Sequence, residues 1–185
     1  MKLYILCDKH LLNSLNISID SCVKKAIKKR ASIIQYRNKS GSRDEIKTDL
    51  INIRKVWSGK LIINDYIEFI ELADGLHIGQ EDLLKFNSDS EKAILEIRKT
   101  IGRKILGLST HNRDEILKAN SLDLDYIGLG AYRGTSTKTD AEVLGENADE
   151  VAKLSKHPVG IIGGVKLTDS FKNIEYLVIG SGLYE

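Results

Sequence analysis

The sequence has little cysteine and no long apolar run, and each shortage excludes a class of protein. Only two cysteines, Cys7 and Cys22, occur in 185 residues, which argues against a disulfide-stapled secreted fold and indicates a reducing compartment. No apolar run approaches the roughly 20 residues of a membrane span, so no membrane partner is expected. The first apolar run, residues 3–7, is too short for a secretion signal. We therefore expect a cytoplasmic protein.

The net charge is also small, at +2 at pH 7. A charge of this size gives no reason to expect nucleic acid as a partner, so any anion binding must come from the local placement of Lys and Arg. The 185 residues, 42% of them hydrophobic, suffice for one domain with a core and are too few for two ordinary ones. No linker divides the chain, and we predict one domain over residues 1–185.

Short β runs alternate with amphipathic stretches along the chain. The stretch 42–57 has helical spacing of its apolar residues and begins with a capping-box pattern, Ser42 followed by Glu45. Such alternation predicts parallel strands joined by helical crossovers, and eight strands close a barrel. We therefore predict the α/β class and a (β/α)8 barrel. Its strands are expected at residues 2–7, 32–37, 60–64, 75–79, 104–109, 126–130, 159–163 and 176–180.

The predicted barrel is shortened at its C-terminal side. Only residues 181–185 follow the eighth run, and residues 166–175 between the seventh and eighth runs allow at most a short helix. We therefore expect the eighth helix to be absent. A barrel without that helix should expose apolar surface on strand eight, so we expect a second copy of the chain to cover it in a homodimer.

Polar residues collect at the C-terminal ends of the predicted strands, where barrel enzymes carry their active sites. Arg37 ends strand two and Lys39 follows it two residues later, so both can face one side of an extended segment. Asp65 and Asp82 follow strands three and four and are oxygen ligands of the type that Mg²⁺ prefers, although each alone could cap a helix or a turn. With Lys138 after strand six, these residues suit a diphosphate bridged by Mg²⁺. We predict a magnesium-dependent enzyme that acts on a diphosphate.

The motifs along the chain resemble those of the thiamine phosphate synthase family and occur in the family's order. They are Gln35-Tyr36-Arg37-Asn38-Lys39, Ile63-Asn64-Asp65, the run from Asp74 to Asp82, Gly107-Leu108-Ser109-Thr110-His111, Asp125 to Gly130, Thr135-Ser136-Thr137-Lys138 and Ile162-Gly163-Gly164-Val165. The resemblance implies that 4-amino-5-hydroxymethyl-2-methylpyrimidine diphosphate is joined to 4-methyl-5-(2-phosphoethyl)thiazole, giving thiamine phosphate and pyrophosphate. In the family, pyrophosphate leaves first and the thiazole nitrogen captures a pyrimidinylmethyl cation.

The resemblance also implies roles for individual residues. Asp65 and Asp82 would ligate Mg²⁺. The pyrimidine diphosphate would be bound by Gln35, Tyr36, Arg37, Asn38, Lys39, Asn64, His77, Ser109 and Lys138. Among these, the residues with a direct part in catalysis would be Arg37, Lys39, Ser109 and Lys138. The thiazole phosphate would be bound by Thr135, Ser136, Thr137, Gly164, Gly180 and Ser181.

The chain departs from the family's pattern on the thiazole side. The family usually has Pro and an aromatic residue before the Thr-x-Thr-Lys segment, where this chain has Ala-Tyr-Arg-Gly at 131–134. Arg133 there either adds a cation for the thiazole phosphate or is simply exposed. Two alternative functions stay open: a thiazole tautomerase with His111 as its acid or base and no metal, and a non-catalytic phosphate-binding barrel. The presence of both Asp65 and Asp82 favours the synthase.

Overall fold

The computed structural model of the protein describes residues 1–134 and 143–185. Eight parallel strands close into a barrel in which each strand pairs with its neighbours in the chain and the eighth pairs with the first. The strands are β1 Lys2–Asp8, β2 Ile33–Arg37, β3 Lys60–Asn64, β4 Gly75–Ile78, β5 Ile105–Thr110, β6 Tyr126–Leu129, β7 Val159–Ile161 and β8 Tyr176–Ile179. The predicted (β/α)8 barrel is confirmed.

Helices form the outer layer of the barrel. Within the described ranges the α-helices are α1 Lys9–Ser14, α2 Ile19–Lys28, α3 Arg43–Val56, α4 Gln80–Leu83, α5 Ser90–Ile101, α6 Arg113–Ala119 and α7 Ala148–Ala152. Short 3-10 helices cover Ile67–Leu72, Gly145–Asn147 and Ser181–Leu183. The helices α1 and α4 were not predicted, because they are too short to show a helical period. In the part of the chain that the structure describes, no α-helix follows β8, and no helix is long and apolar enough to cross a membrane.

The long helix α3 begins where its sequence predicts. The Ser42 hydroxyl accepts the backbone N–H of Glu45 at 3.2 Å, which satisfies one of the free N–H groups of the first turn. The side chains of Ile46, Leu50 and Ile53 recur on one face and are fully buried against the strands. Each such side chain contributes roughly 1.5–3 kcal/mol when it leaves water. The apolar stripe therefore fixes which face of α3 meets the barrel.

Arg54 of α3 connects two neighbouring strands at the N-terminal end of the barrel. Its guanidinium donates to the Gly59 carbonyl at 3.1 Å and to Asp74 at 2.8 Å. The Asp74 carboxylate also accepts the backbone N–H of Leu61 in β3 at 2.8 Å. One side chain thus joins the start of β3 to the residue before β4.

The same arrangement recurs two strands further along, around Arg98 of α5. Arg98 donates to the Lys104 carbonyl and to Asp125, both at 2.8 Å, and Asp125 accepts the N–H of Leu106 in β5 at 2.8 Å. Both arrangements lie at the N-terminal ends of the strands, the end at which barrel residues serve stability rather than chemistry. The polar residues at the other end are therefore the ones to examine for function.

Strand β8 is covered by its own chain, so the expectation of exposed apolar surface there is wrong. Leu177 and Ile179 are 8% and 0% exposed and belong to the same hydrophobic cluster as Leu183. The residues after β8 are held against α2, because Lys25 donates to the Leu183 carbonyl at 3.2 Å and lies 4.6 Å from the ring centre of Tyr184. The turn after β8 takes over part of the covering that the sequence assigned to a second copy.

Candidate active site

Two carboxylates and an ammonium group meet at the C-terminal ends of β2, β3 and β4. The Lys39 Nζ atom lies 3.3 Å from an oxygen of Asp65 and 3.4 Å from an oxygen of Asp82. The other oxygen of Asp82 pairs with Lys85. The side chains of Asp65 and Asp82 are mostly buried, whereas that of Lys39 is half exposed. The structure therefore brings together three predicted site residues that come from three separate loops.

Asp65 has an unusual environment for a carboxylate. Its backbone is left-handed, with φ at 66°, a conformation that few residues other than Gly, Asn and Asp adopt. One oxygen accepts a hydrogen bond from Asn64, whereas the buried Oδ1 has no hydrogen-bond partner among the described residues. Burial raises the pKa of Asp65 despite the nearby charge of Lys39. Burial alone would also raise the pKa of Asp82, but Lys85 and Lys39 hold it below its usual value.

These residues fit a divalent cation. Mg²⁺ is usually held by one or two carboxylates, with water and substrate phosphates in its other positions. A buried carboxylate oxygen without a partner is costly, and a cation between Asp65 and Asp82 would remove that cost. Among residues 1–134 and 143–185, no cluster of three or more His, Cys, Asp or Glu side chains forms a metal site. The pair therefore suits an ion shared with a substrate rather than one caged by protein.

Arg37 is held at the end of β2 by a buried carboxylate that was not predicted. It pairs with Asp8, the last residue of β1, whose side chain is only 5% exposed. The other oxygen of Asp8 caps α1 by accepting the N–H of Leu11 at 3.0 Å. A guanidinium has five N–H donors, so Arg37 keeps donors for a substrate anion while Asp8 fixes its orientation.

A chain of hydrogen bonds crosses the barrel interior. The Gln35 amide donates to the Tyr4 hydroxyl at 2.6 Å, and that hydroxyl lies 2.8 Å from the hydroxyl of Tyr126. The Tyr126 hydroxyl lies 2.8 Å from His77 Nδ1, and His77 Nε2 lies 2.9 Å from the Ser109 Oγ. The predicted residues Gln35, His77 and Ser109 are thus connected, and two tyrosines connect them.

The protonation state of His77 determines which groups donate and which accept along this series of hydrogen bonds. Burial lowers the pKa of His77 to about 4, and the charge of Arg37 adds to the effect. The ring is therefore neutral at pH 7, with one nitrogen that donates and one that accepts. Because Gln35 donates to Tyr4, a consistent pattern has Tyr126 donating to Nδ1 and Nε2–H donating to Ser109. The Ser109 hydroxyl proton is then free for a substrate.

The side chains of Tyr36 and Asn38 do not join this group, and the part of these two residues in binding the pyrimidine diphosphate stays a prediction. The Tyr36 hydroxyl donates to Asp49 of α3 at 2.6 Å, and the Asn38 amide donates to Tyr36 at 3.2 Å. Both side chains are buried in the layer between strand and helix. Successive side chains of an extended segment alternate between its two faces. Since Arg37 and Lys39 face the active site, Tyr36 and Asn38 face the helices.

The loops after β6 and β7 form a second part of the site. Gly163 and Gly164 have φ values of 91° and 63°. A Cβ atom at these positions would lie 2.8 Å from that of Ala131 and 2.7 Å from that of Arg133. Both positions require glycine because the backbone is left-handed and the two loops approach this closely. A turn of this kind can present backbone N–H groups to a phosphate.

The other residues expected to bind the thiazole phosphate fall into two groups. Gly180 and Ser181 follow β8, and their turn contacts the loop after β7, since a Cβ on Gly182 would lie 2.7 Å from the Val165 carbonyl oxygen. The structure therefore places the turn that contains Gly180 and Ser181 against the loop after β7. The remaining predicted residues lie outside the described ranges; they are Thr135, Ser136, Thr137 and Lys138.

Comparison with known proteins gives this arrangement a family. The sequence model of the family described as thiamine monophosphate synthase matches residues 3–179. The chain belongs to the thiamine monophosphate synthase family. The match covers almost the whole barrel and includes both the Asp65–Asp82 cluster and the Gly163–Gly164 turn.

Individual members of the family agree with this assignment, and a solved structure agrees with the fold. The thiamine-phosphate synthase of Persephonella marina is 41% identical over 182 residues, which cover 93% of this chain and 82% of that protein. The thiamine-phosphate synthase of Clostridium botulinum is 35% identical over 170 residues, covering 88% and 75%. A thiamine phosphate pyrophosphorylase from Pyrococcus furiosus has a similar structure, with a TM-score of 0.79 at 24% identity, covering 97% and 85%. At that identity the likeness supports the fold alone.

Sequence reasoning missed Tyr4, Asp8 and Tyr126. Each occupies an inward position of its strand, and Tyr4 and Asp8 lie four residues apart on the same face of β1. The strand period of two would have selected these positions once the inward face was known. A tyrosine or aspartate on an inward face is a signal because a buried polar group needs a partner.

Proposed function

We propose that this chain is a thiamine phosphate synthase that joins the pyrimidine diphosphate to the thiazole phosphate and releases pyrophosphate. The observation that carries the proposal is the cluster in which Asp65 and Asp82 share the ammonium group of Lys39 and Asp82 also pairs with Lys85, in a chain of this family. A diphosphate leaving group needs this combination of metal ligands and cations in one place.

The first half of the site would bind the diphosphate. When bound, Mg²⁺ would be held by Asp65 and Asp82 and would offset the negative charge of the leaving group. Lys39 and Arg37 lie at the same end of the barrel and would neutralise further oxygens. A cation about 4 Å from a phosphate oxygen is worth roughly 4 kcal/mol at an effective dielectric near 20. Lys138 would add a third cation on the grounds of the motif match.

The interior of the barrel would bind the pyrimidine. Gln35, His77 and Ser109 offer amide, imidazole and hydroxyl groups whose directions are fixed by the chain through Tyr4 and Tyr126. Fixed polar groups align a flat aminopyrimidine without further reorganisation. The Ser109 hydroxyl, with its proton free, would donate to an oxygen of the diphosphate. The reaction needs such alignment more than a general base, because the leaving group departs before the new bond forms.

The loops after β6, β7 and β8 would bind the thiazole phosphate. The turn after β8, which contains Ser181, touches the loop after β7, since a Cβ on Gly182 would lie 2.7 Å from the Val165 carbonyl oxygen. The segment 135–137 would complete this half, as the family resemblance implies. Both substrates would then meet over the C-terminal ends of the strands, where the thiazole nitrogen can reach the methylene carbon of the pyrimidine.

One assay tests the proposed function. The protein is incubated with both phosphorylated substrates and with Mg²⁺, and thiamine phosphate is measured by chromatography. Product should form, and its formation should stop when EDTA removes the metal and resume when Mg²⁺ is added in excess. Reactions that lack either substrate serve as controls. Absence of thiamine phosphate with Mg²⁺ present would refute the proposal.

A thiazole tautomerase is the second candidate, and one contact favours it. His111 Nδ1 lies 2.9 Å from Glu115 of α6, which gives an oriented imidazole of the kind that acid–base chemistry uses. Isomerisation of a thiazole phosphate in the presence of EDTA, without any pyrimidine diphosphate, would identify this activity. Turnover of neither kind would leave the non-catalytic phosphate-binding barrel.

The proposals on assembly and location are more general. A homodimer and a cytoplasmic location stay predictions, and the burial of β8 removes one reason for the dimer. Sedimentation at micromolar concentration tests the assembly: a stable monomer would contradict the dimer. Phosphorylated small molecules remain the proposed partners, as the family's substrates imply.

A further inference from the structure

The Arg133 guanidinium donates hydrogen bonds to Asp169 and Gly164 of its own chain. Its two terminal nitrogens donate to the two oxygens of Asp169 at 2.6 and 2.8 Å, and one of them also donates to the Gly164 carbonyl at 2.8 Å. The guanidinium carbon lies 4.3 Å from the ring centre of Tyr132. A two-pronged bond between guanidinium and carboxylate is among the strongest and most directional contacts in proteins. Arg133 therefore has an oriented guanidinium, on a side chain that is 41% exposed. The sequence left open whether it is a cation for the thiazole phosphate or simply exposed, and these bonds favour a positioning role.

Asp169 also accepts a hydrogen bond from the backbone, in addition to those from Arg133. Its Oδ2 atom accepts the backbone N–H of Lys166 at 2.8 Å, and its side chain is only 12% exposed. Asp169 lies in the connection from β7 to β8, which contains no helix. The bond to Arg133 thus anchors a connection that lacks the packing of a helix.

Both contacts of Arg133 converge on the Gly163–Gly164 turn. The Arg133 backbone N–H donates to the Gly163 carbonyl at 2.9 Å, and its side chain donates to the Gly164 carbonyl. The Gly164 carbonyl belongs to the same peptide unit as the Val165 N–H, so a bond to one fixes the direction of the other. Glycine alone has the widest choice of backbone conformations, and a turn with two of them needs an external restraint to keep one shape.

We propose that Arg133 and Asp169 form a clamp that holds the Gly163–Gly164 turn in the shape that receives the thiazole phosphate. Arg133 is then a positioning residue and not a ligand of the phosphate. The inference rests on the proposed function and deepens it, because it assigns a task to a segment in which this chain differs from the usual family pattern.

Three variants test the clamp by steady-state kinetics with each substrate varied in turn: Arg133→Ala, Arg133→Lys and Asp169→Asn. Each should raise the KM for the thiazole phosphate about tenfold, the effect of losing about 1.4 kcal/mol of fixed contacts. The KM for the pyrimidine diphosphate and the kcat at saturation should change less than about twofold, because the other half of the site is untouched. Arg133→Lys should fail to restore the KM, since an ammonium cannot bridge Asp169 and Gly164 as the guanidinium does.

Asp169→Asn separates the clamp from a charge effect. If Arg133 bound the phosphate directly, removing its carboxylate partner would free the guanidinium and lower the KM for the thiazole phosphate. The clamp predicts the opposite change. A lowered KM for Asp169→Asn, full recovery in Arg133→Lys, or equal changes in both KM values would each overturn the inference.

Arg54→Ala is the matched control. Arg54 likewise bonds an aspartate and a backbone carbonyl at the other end of the barrel, with one bond to Asp74 where Arg133 has two to Asp169. Its loss should lower the melting temperature and leave both KM values unchanged. Asp169→Asn keeps the shape of the side chain, so it provides the test if Arg133→Ala does not fold. Thiamine phosphate formation by the unchanged chain tests the proposed function separately from the clamp.

Discussion

The hydroxyls of Tyr4 and Tyr126 lie 2.8 Å apart inside the barrel, although 122 residues separate them in the sequence. Their rings are also in contact, with centres 5.9 Å apart. This single bond joins β1 to β6 and completes the path from Gln35 to His77. Aliphatic side chains could fill the same space without needing partners, so a satisfied polar network here points to a specific use of the interior.

Tyr126→Phe should weaken both the fold and the binding of the pyrimidine diphosphate. The change removes one hydroxyl and leaves two buried groups, on Tyr4 and His77, without their partner. We expect a loss of about 1–3 kcal/mol in the free energy of unfolding, measured with urea. The KM for the pyrimidine diphosphate should rise, because the direction of the hydrogen bonds to Ser109 is no longer set.

Tyr176→Phe is the control for that variant. The Tyr176 ring packs against those of Tyr4 and Tyr126 with centres 6.3 and 6.1 Å away, but its hydroxyl takes no part in the chain. Its free energy of unfolding should change by less than about 0.5 kcal/mol. Equal losses in Tyr126→Phe and Tyr176→Phe would show that the hydroxyl network has no special role.

The free energy of unfolding should decrease as the pH is lowered from 6.5 to about 4, because of His77. Burial lowers the pKa of His77 from 6.5 to about 4 in the folded state. Between these values the unfolded chain binds the proton and the folded chain does not, so stability is fully present above pH 6.5 and is lost as the pH falls. The expected loss from pH 7 to pH 5 is about 2 kcal/mol.

Urea unfolding of His77→Gln at the two pH values measures this contribution. The variant should lose about 2 kcal/mol less than the unchanged protein over that interval. Comparing the two proteins cancels the contribution of Asp65, whose raised pKa acts in the opposite direction. The exposed His10 provides the control, and His10→Gln should keep the original dependence. An unaltered dependence in His77→Gln would mean that another group titrates.

Asp65→Asn should reduce activity severely while leaving the fold intact. Loss of a metal-binding carboxylate should lower the rate at a fixed Mg²⁺ concentration about a hundredfold or more, and raise the Mg²⁺ concentration needed for half of the maximal rate. Without Mg²⁺ the variant should be at least as stable as the original, because burial disfavours the charged form of Asp65, raising its pKa, and Asn carries no charge. A site that trades stability for function behaves in this way.

Glu81→Gln is the matched control for the metal site. Glu81 is the exposed carboxylate next to Asp82 in α4, so its loss should change the rate less than about twofold. Asp82→Asn should resemble Asp65→Asn in its demand for Mg²⁺. Normal Mg²⁺ activation in both Asp variants would move the metal to other residues.

The sequence was sufficient for the barrel and for the Asp65–Asp82 cluster, for a common reason. Eight repeated units define a closed parallel sheet. The C-terminal ends of its strands lie at the same end of the barrel, and this does not depend on the exact bounds of the helices between them. The strand period of two already set Tyr36 on the opposite face from Arg37, but the pairing of Arg133 with Asp169 and the cover over β8 were not predictable in this way. Each depends on which side chains meet across loops far apart in the chain, and local patterns do not carry that information.

Arg98→Ala should lower stability without changing catalysis. The guanidinium joins α5 to the starts of β5 and β6, and its loss leaves the Asp125 carboxylate with the Leu106 N–H as its remaining partner among these bonds. We expect the free energy of unfolding to fall by about 1–3 kcal/mol, while both KM values and the kcat stay unchanged, because the active site lies at the opposite end of the strands. The double variant with Arg54→Ala should lose the sum of the two single losses to within about 0.5 kcal/mol, since the two arrangements share no bonds. A kcat that fell with the stability of each variant would instead show that the two ends of the barrel are coupled.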